Sequence, residues 1–342
     1  AMDKKQFSGL FFSKTKDFLD IFLPKQSNRS SETVRAYRIS LNCFYDYVTE
    51  TAGISAVSFR FSDCTYDFVL GYSQFLQEQK KLAASTVNQR LAALKTYLKY
   101  VTDADFSMVQ VYLAVKKVPL LRTEKLQRPI IEKDGLSAFL AAPPDTRIGN
   151  RDRTLLVMLF DTAVRISELL EIRIRDISLM ASNPTILIHG KGRKQRVVSL
   201  NEKTVLHLRE YDASFHGKVP NPDAYLFYTT IHGERMKMSV RNAERIVKKY
   251  AGIARETVSE MPENCYPHML RRSRASGLYR DGVPIEMIAA ILGHSSSETT
   301  KIYAIPSVEQ MKEALKIDQD ETDNPEHLWE GKEDQIRKMF GI

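Results

Sequence analysis

The 342-residue sequence predicts a mainly α-helical protein with one small β-sheet and two domains. Three observations support this fold class. The chain is longer than one small domain, since domains typically hold roughly 100–200 residues. Apolar residues recur at steps of three and four along most of the chain, as they do on the buried face of a helix. A single segment, near residue 190, has the alternation and glycine-rich turn of a β-hairpin.

The first third of the chain predicts a bundle of four or five helices, over residues 7–22, 31–49, 64–80 and 85–101. The second of these has an apolar stripe of Val34, Tyr37, Leu41, Phe44 and Val48, and Ser31 is its candidate N-cap. The helix over residues 85–101 has Ser85 or Thr86 as its candidate cap and a stripe of Val87, Leu91, Leu94 and Leu98.

Residues 116–129 differ from the flanking helices because Pro119 and Pro129 disfavour a continuous helix. The segment has one acidic and five basic residues, which predicts a semi-extended basic linker. A surface loop between two helices is the alternative. We place the first domain at 1–117, the linker at 118–129, the second domain at 130–317 and an acidic tail at 318–342.

The second domain is predicted to be helical around one hairpin. Two strands, 185–189 and 195–200, flank the sequence GKGRK. Helical patterns cover about 151–163, a short stretch from Ser167, and then 201–213, 238–254, 269–281, 284–291 and 307–316.

Composition is that of an ordinary globular protein, with 43% hydrophobic and 27% charged residues. The net charge of +8 conceals an uneven distribution, because the tail carries −5 and the rest of the chain +13. A basic body suggests a polyanionic partner. We expect the acidic tail to modulate assembly or to compete with that partner.

Cysteine and histidine usage argues against several classes of site. Cys43, Cys64 and Cys265 have no paired spacing, which predicts a reducing cytoplasmic location rather than a disulfide framework. The seven histidines lack metal-site spacing, and no glycine-rich phosphate loop is present, so we expect no metal and no cofactor. No apolar stretch is long enough for a membrane span, and the first residues lack the apolar region of a signal peptide.

Five short segments of the second domain carry candidate catalytic residues. They are TAVRISELL with Arg165, HGKGRKQR with Lys191, PHMLRRS with His268 and Arg271, ILGHSS with His294, and TTKIYA with Tyr303. Each segment is a weak signal alone, but their order and spacing are specific. Together they resemble the tyrosine recombinase, or phage-type integrase, family. The resemblance extends to the first domain, where two helices look like core-binding helices of that family.

This resemblance implies a C-shaped DNA clamp, in which a helical core-binding domain and a catalytic domain surround duplex DNA. It also implies metal-free transesterification through a 3′-phosphotyrosyl intermediate, with Tyr303 as nucleophile. Arg165 and Arg271 would stabilise the phosphorane-like transition state, because guanidinium groups match phosphate oxygens and stay charged.

The remaining roles also follow from the resemblance. His268 would exchange a proton with the nucleophile, Lys191 would protonate the leaving 5′ oxygen, and His294 would bind a non-bridging oxygen. Glu168 either orients Arg165 or is an ordinary surface acid. The chain departs from the family at Ala163-Val164, where Gly-Leu is common, and at Arg272, Ser273 and Arg274.

Twelve further basic residues are candidate DNA contacts. Those of the hairpin could instead belong to a solvated turn. The twelve are Arg90, Lys95, Lys99, Lys116, Lys117, Arg122, Lys125, Arg128, Arg193, Lys194, Arg196 and Arg272.

The resemblance predicts a site-specific DNA recombinase of a mobile element, acting on double-stranded DNA with short inverted core sites as a homotetramer, with accessory proteins possible. The alternatives are a Xer-like resolvase of chromosome or plasmid dimers, a type IB topoisomerase-like enzyme and a non-catalytic DNA-binding regulator. The apolar positions of the 307–316 helix would pack either on a neighbouring subunit or on its own domain.

Overall fold

The computed structural model describes residues 9–123, 129–180, 182–190, 194–217, 219–293 and 300. It divides the chain into two compact units, Ala1–Gln127 and Arg128–Ile342. The division falls near the end of the predicted basic linker. The described residues are mainly helical, with two small sheets. None of their helices is both long enough and apolar enough to cross a membrane.

The described part of the first unit contains helices and no strand, apart from an isolated bridge between Leu10 and Arg60. A segment at residues 11–26 combines a 3-10 turn, an α turn and a π-helical stretch. The helices that follow are α1 Ser31–Asp46, extended by the π-helical turn Tyr47–Thr51, then α2 Tyr66–Glu78, α3 Ala84–Ala104 and α4 Val109–Lys116. The sequence predicted the first three of these and missed α4.

Both predicted N-caps are displaced, by one residue at α1 and by two or three at α3. Ser30 rather than Ser31 caps α1, because Ser30 has extended backbone and its Oγ accepts a hydrogen bond from the Thr33 N–H at 3.4 Å. Helix α3 begins at Ala84, ahead of Ser85 and Thr86, and its N-cap, Ala83, provides no side-chain acceptor.

An aromatic core holds the first unit together. Phe11, Phe18, Phe44 and Tyr97 are fully buried, and the rings of Phe11 and Phe44 lie 5.1 Å apart. The Tyr97 hydroxyl donates a hydrogen bond to the Phe11 carbonyl, so the N-terminal segment is fixed to α3 by polar as well as apolar contact.

The start of the predicted linker packs on α3. Val118 is 1% exposed and belongs to the core of the first unit. The amide of Asn88 donates to the Leu121 carbonyl at 2.9 Å and accepts from the Leu121 N–H at 2.8 Å. The boundary at residue 117 therefore cuts through a packed segment, because residues 118–121 are bound to the first unit.

The second unit contains seven α-helices, the 3-10 turn Ile174–Asp176 and five strands within its described residues. The helices are α5 Lys133–Ala141, α6 Arg147–Asp161, α7 Ile166–Glu171, α8 Glu202–Phe215, α9 Val240–Thr257, α10 Pro267–Arg280 and α11 Ile285–Leu292. The strands are β1 Ile177–Ser178, β2 Thr185–His189, β3 Gln195–Ser199, β4 Tyr228–Ile231 and β5 Glu234–Lys237.

The predicted hairpin is present as β2 and β3, and the short β1 extends it to a three-stranded antiparallel sheet. The inward-facing Ile186, Ile188 and Val198 join the main core of the unit. A second hairpin, β4–β5, was not predicted, so the expectation of a single sheet was wrong. The predicted 307–316 helix lies outside the described residues.

Candidate active site

Arg165 lies at the start of α7, where the chain leaves a buried turn. Its backbone N–H donates to Glu168 Oε2 at 2.9 Å, and its Nη1 donates to Glu168 Oε1 at 2.8 Å. The Arg165 side chain is 42% exposed. One carboxylate thus caps the helix and orients a guanidinium that solvent, or a ligand, can still reach.

Glu168 is buried, with 6% of its side chain exposed, so it is not an ordinary surface acid. Burial alone would raise its pKa, but hydrogen bonds from Arg196 and from the Arg165 backbone, together with the Arg196 charge, outweigh burial and lower the pKa to about 2. The carboxylate is therefore ionised at any working pH and is shared between two guanidinium groups.

The turn before Arg165 explains one departure from the family pattern. Ala163 is fully buried and has a φ of +50°, in the left-handed region that glycine adopts without steric cost. Alanine tolerates that conformation at a cost of about 1–2 kcal/mol. Glycine at this position would avoid that cost, and here the alanine methyl packs against Ala275, Ile288 and Leu292.

Arg271 connects this turn to a second motif segment. Its side chain is 1% exposed in the middle of α10. Its Nη1 donates to the Ala163 carbonyl at 2.7 Å and its Nη2 to the Leu292 carbonyl at 2.6 Å. Arg271 thereby fixes the turn two residues before Arg165 and the end of α11 two residues before His294.

His268 lies one helical turn before Arg271, in the first turn of α10, and is exposed. Pro267 occupies the first position of that helix, where its missing N–H costs nothing. The helix start thus presents the imidazole at the surface while the arginine of the same motif is buried.

The hairpin that carries the candidate general acid closes at Gly190, whose N–H donates to the Lys194 carbonyl at 2.7 Å. Lys194 is exposed. Several predicted site residues lie outside the described part of the chain, namely Lys191, Arg193, His294, Tyr303, Lys125 and Arg128.

Four predicted DNA contacts have hydrogen-bond partners within the protein. Arg90 donates to Ser40 Oγ at 2.9 Å. Lys95 Nζ donates to the Val118 carbonyl at 2.6 Å, and burial lowers the pKa of this lysine. Arg272 is 3% exposed and donates to the Pro129 carbonyl and the Tyr266 hydroxyl. Arg196 is bound to Glu168.

The other described candidates are exposed: Lys99, Lys116, Lys117, Arg122 and Lys194. Helix α9 carries a further basic group that was not predicted, which we name the α9 stripe and which consists of Arg241, Arg245 and Lys248. These residues are exposed at spacings of four and three, opposite the buried face of α9. None of the three pairs with a described carboxylate. Their spacing in the sequence could have revealed them.

A search of the described residues for groups of three or more His, Cys, Asp or Glu side chains that could hold a metal ion finds none. The cationic side chains of the site that the structure describes are led by Arg165, Arg196 and Arg271.

Comparison with protein families gives two matches. Residues 129–310 match the model of the phage integrase family, and residues 16–111 match the model of the phage integrase SAM-like domain.

Individual relatives agree with these matches. A tyrosine recombinase of Agathobacter rectalis is 27% identical, covering 85% of this chain and 91% of the relative. Tyrosine recombinase XerC of Bacillus licheniformis is 28% identical, covering 88% and 95%.

Among solved structures, XerH site-specific recombinase in a post-cleavage complex with palindromic difH substrate aligns with a TM-score of 0.69 at 21% identity, covering 93% of this chain and 90% of that one. The Tn1549 transposon integrase in complex with transposon right end DNA aligns with a TM-score of 0.64 at 15% identity, covering 87% and 97%. At these identities the alignments establish a shared fold.

Proposed function

This chain belongs to the phage integrase family and is a tyrosine recombinase, an enzyme that cleaves and rejoins DNA, and on that premise we propose which of its residues perform the reaction. Arg165 and Arg271 stabilise the transition state, Tyr303 is the nucleophile, and Lys191, His268 and His294 assist. The observation that supports this best is the position of Arg271, whose guanidinium joins the turn before Arg165 to the helix end before His294.

Transesterification at phosphorus adds negative charge to the non-bridging oxygens, and fixed cations must stabilise it. Arg165 is suited to direct contact, because it is anchored by Glu168 and remains 42% exposed. Arg271 contributes a second guanidinium whose position two backbone carbonyls fix before substrate arrives. Donors that are already in place do not have to reorganise during the reaction, so the free-energy cost of reorganisation is avoided.

Tyr303 attacks phosphorus and forms the 3′-phosphotyrosyl ester, while the 5′ oxygen leaves. A phenol has an unperturbed pKa of about 10, so the nucleophile needs a proton acceptor, and His268 supplies it. Lys191, in the loop that the β2–β3 hairpin closes, donates the proton to the leaving oxygen. His294 binds a non-bridging oxygen. Each ester replaces another of similar energy, so strand rejoining needs no external energy source.

We expect the wild-type protein to form a covalent adduct with a nicked duplex, whereas Tyr303→Phe forms none, because the variant lacks the attacking oxygen. Half-sites are first selected from a random duplex library by binding. Adducts are then separated from free DNA under denaturing conditions. Tyr279→Phe is the matched control and keeps wild-type activity; an adduct that persists in Tyr303→Phe would reject the assigned nucleophile.

We also propose that the α9 stripe contacts DNA phosphates. Replacing Arg241, Arg245 and Lys248 together with alanine should reduce the slope of log K against log salt by up to about 3, since each phosphate contact contributes about 0.9. Fluorescence anisotropy with a non-specific duplex measures this. Glu244→Gln, on the same exposed face, should strengthen binding. An unchanged slope in the triple variant would show that the α9 stripe does not contact DNA.

We favour recombination at short inverted core sites by a homotetramer, for a mobile element, with resolution of chromosome or plasmid dimers as the second candidate. To distinguish these two roles, the selected sites are supplied either as direct repeats on one plasmid or on two separate molecules. Relaxation of supercoils by a monomer without strand exchange would instead favour a topoisomerase. DNA binding without any adduct would favour a regulator.

A further inference from the structure

Arg196 uses both ends of its guanidinium in contacts within the protein. It lies on β3 opposite Ile188, and its side chain is 15% exposed. Its Nη2 donates to Glu168 Oε2 at 2.8 Å and its Nη1 to Glu168 Oε1 at 3.3 Å. The Nε donates to the Ile291 carbonyl at 3.1 Å. Each of its three nitrogens thus has an acceptor within the protein.

The same guanidinium lies against Gly293, the residue that ends α11 and precedes His294. A Cβ at Gly293 would lie 2.7 Å from Arg196 Nη1 and 2.9 Å from its Cζ, closer than real Cβ contacts. Gly293 also has a φ of +64°. Two features therefore favour glycine at this position: the left-handed backbone conformation and the close approach of Arg196.

Three catalytic segments meet at this side chain. Through Glu168 it reaches Arg165, because the carboxylate binds both guanidinium groups. Through Ile291 and Gly293 it reaches the turn before His294. Along its own strand it follows Lys194, whose carbonyl closes the hairpin that carries Lys191.

We propose that Arg196 is a positioning residue for strand cleavage, which aligns Arg165 and the turn before His294, and that it is not a DNA ligand. This inference rests on the proposed function, since Arg165 and His294 matter only if they act on the scissile phosphate. The hairpin then has two separate functions: exposed Lys194 is available to DNA, and Arg196 is directed into the site.

The test compares Arg196→Ala and Arg196→Lys with Lys194→Met, an exposed neighbour on the same hairpin. Duplex affinity and the rate of adduct formation at saturating protein are measured separately on a nicked half-site. We expect both Arg196 variants to bind duplex within about twofold of wild type and to cleave about 10²-fold more slowly, since a displacement near 1 Å has that effect. Lys194→Met should weaken binding and lower the salt slope by about 0.9.

Two readouts separate positioning from a general loss of structure. Methylguanidinium added to Arg196→Ala should restore part of the cleavage rate, whereas it should not change wild type. The Arg196→Lys variant should stay slow, because an ammonium carries its donors on one nitrogen and cannot reproduce the planar fork that reaches both carboxylate oxygens and the Ile291 carbonyl. The double variant Glu168→Gln/Arg196→Ala should cleave as slowly as the slower single variant, because the two residues act as one unit.

The outcomes are distinct. Wild-type cleavage by Arg196→Ala would overturn this inference and leave the proposed function intact, and so would weakened duplex binding with an unchanged cleavage rate. An absence of adduct from the wild-type protein would overturn the proposed function, and the role of Arg196 with it.

Discussion

Replacing Arg271 with lysine is expected to lower the rate of covalent strand cleavage on the order of 10²–10³-fold, the usual effect of losing one preorganised donor. The guanidinium binds the Ala163 and Leu292 carbonyls with its two terminal nitrogens, 2.7 and 2.6 Å away. A lysine carries its three N–H donors on one nitrogen, so it cannot reproduce the planar fork that reaches two carbonyls from two nitrogens, and one of the two contacts is lost or lengthened. The turn before Arg165 or the end of α11 then loses its position.

The same substitution should also lower the free energy of unfolding by about 1–3 kcal/mol, because a buried carbonyl loses its partner. Arg272→Lys is the matched control. Arg272 is the next residue, is also buried, and binds the Pro129 carbonyl and Tyr266 rather than the two catalytic turns. We expect it to be destabilising but to cleave at the wild-type rate once saturated with DNA. If both variants lost cleavage equally, Arg271 would have only a structural role.

The sequence predicted the helices with strong apolar stripes, the β2–β3 hairpin and the family. It missed α4 and α5 for physical reasons. Helix α4 reads VQVYLAVK, and its three valines favour strands in isolation. Helix α5 has only nine residues and contains Gly135. Packing against their units, rather than local preference, makes both segments helical.

The missed β4–β5 hairpin had a local signal. His232 and Gly233 have φ values of +51° and +86°, as a two-residue turn between antiparallel strands requires. A β-branched run, Thr229 to Ile231, precedes that turn, and Gly233 could have marked it.

The candidate catalytic residues could be named from their chemistry and order, but their contacts could not. Arg271 binds backbone carbonyls far from it in the chain, and no side-chain pattern encodes such an acceptor. Arg196 is different, because strand alternation does carry the information. Val198 is buried while Val197 and Ser199 are exposed, so Arg196 faces inward with Val198. Reading that alternation would have separated Arg196 from the exposed Lys194.

Glu168→Gln should destabilise the protein by about 3 kcal/mol near neutral pH, and the difference from wild type should vanish in acid. The carboxylate has a pKa of about 2 when folded, against an ordinary value of 4.5. The unfolded chain therefore takes up a proton more readily than the folded one. The ionised group stabilises the fold fully above about pH 5, and this contribution is lost as the pH falls toward 2.

Urea unfolding followed by circular dichroism at pH 7, 5, 4 and 3 measures that convergence. Glu171→Gln is the control, because Glu171 is on the same helix but forms an exposed ion pair with Lys237. We expect that variant to stay within about 1 kcal/mol of wild type at every pH. Cleavage adds a second test, because glutamine leaves Arg165 and Arg196 without the charge that aligns them, so Glu168→Gln should cleave slowly even where it is fully folded. A pH-independent stability difference would show that Glu168 acts through packing rather than charge, and the alignment of Arg165 would then need another cause.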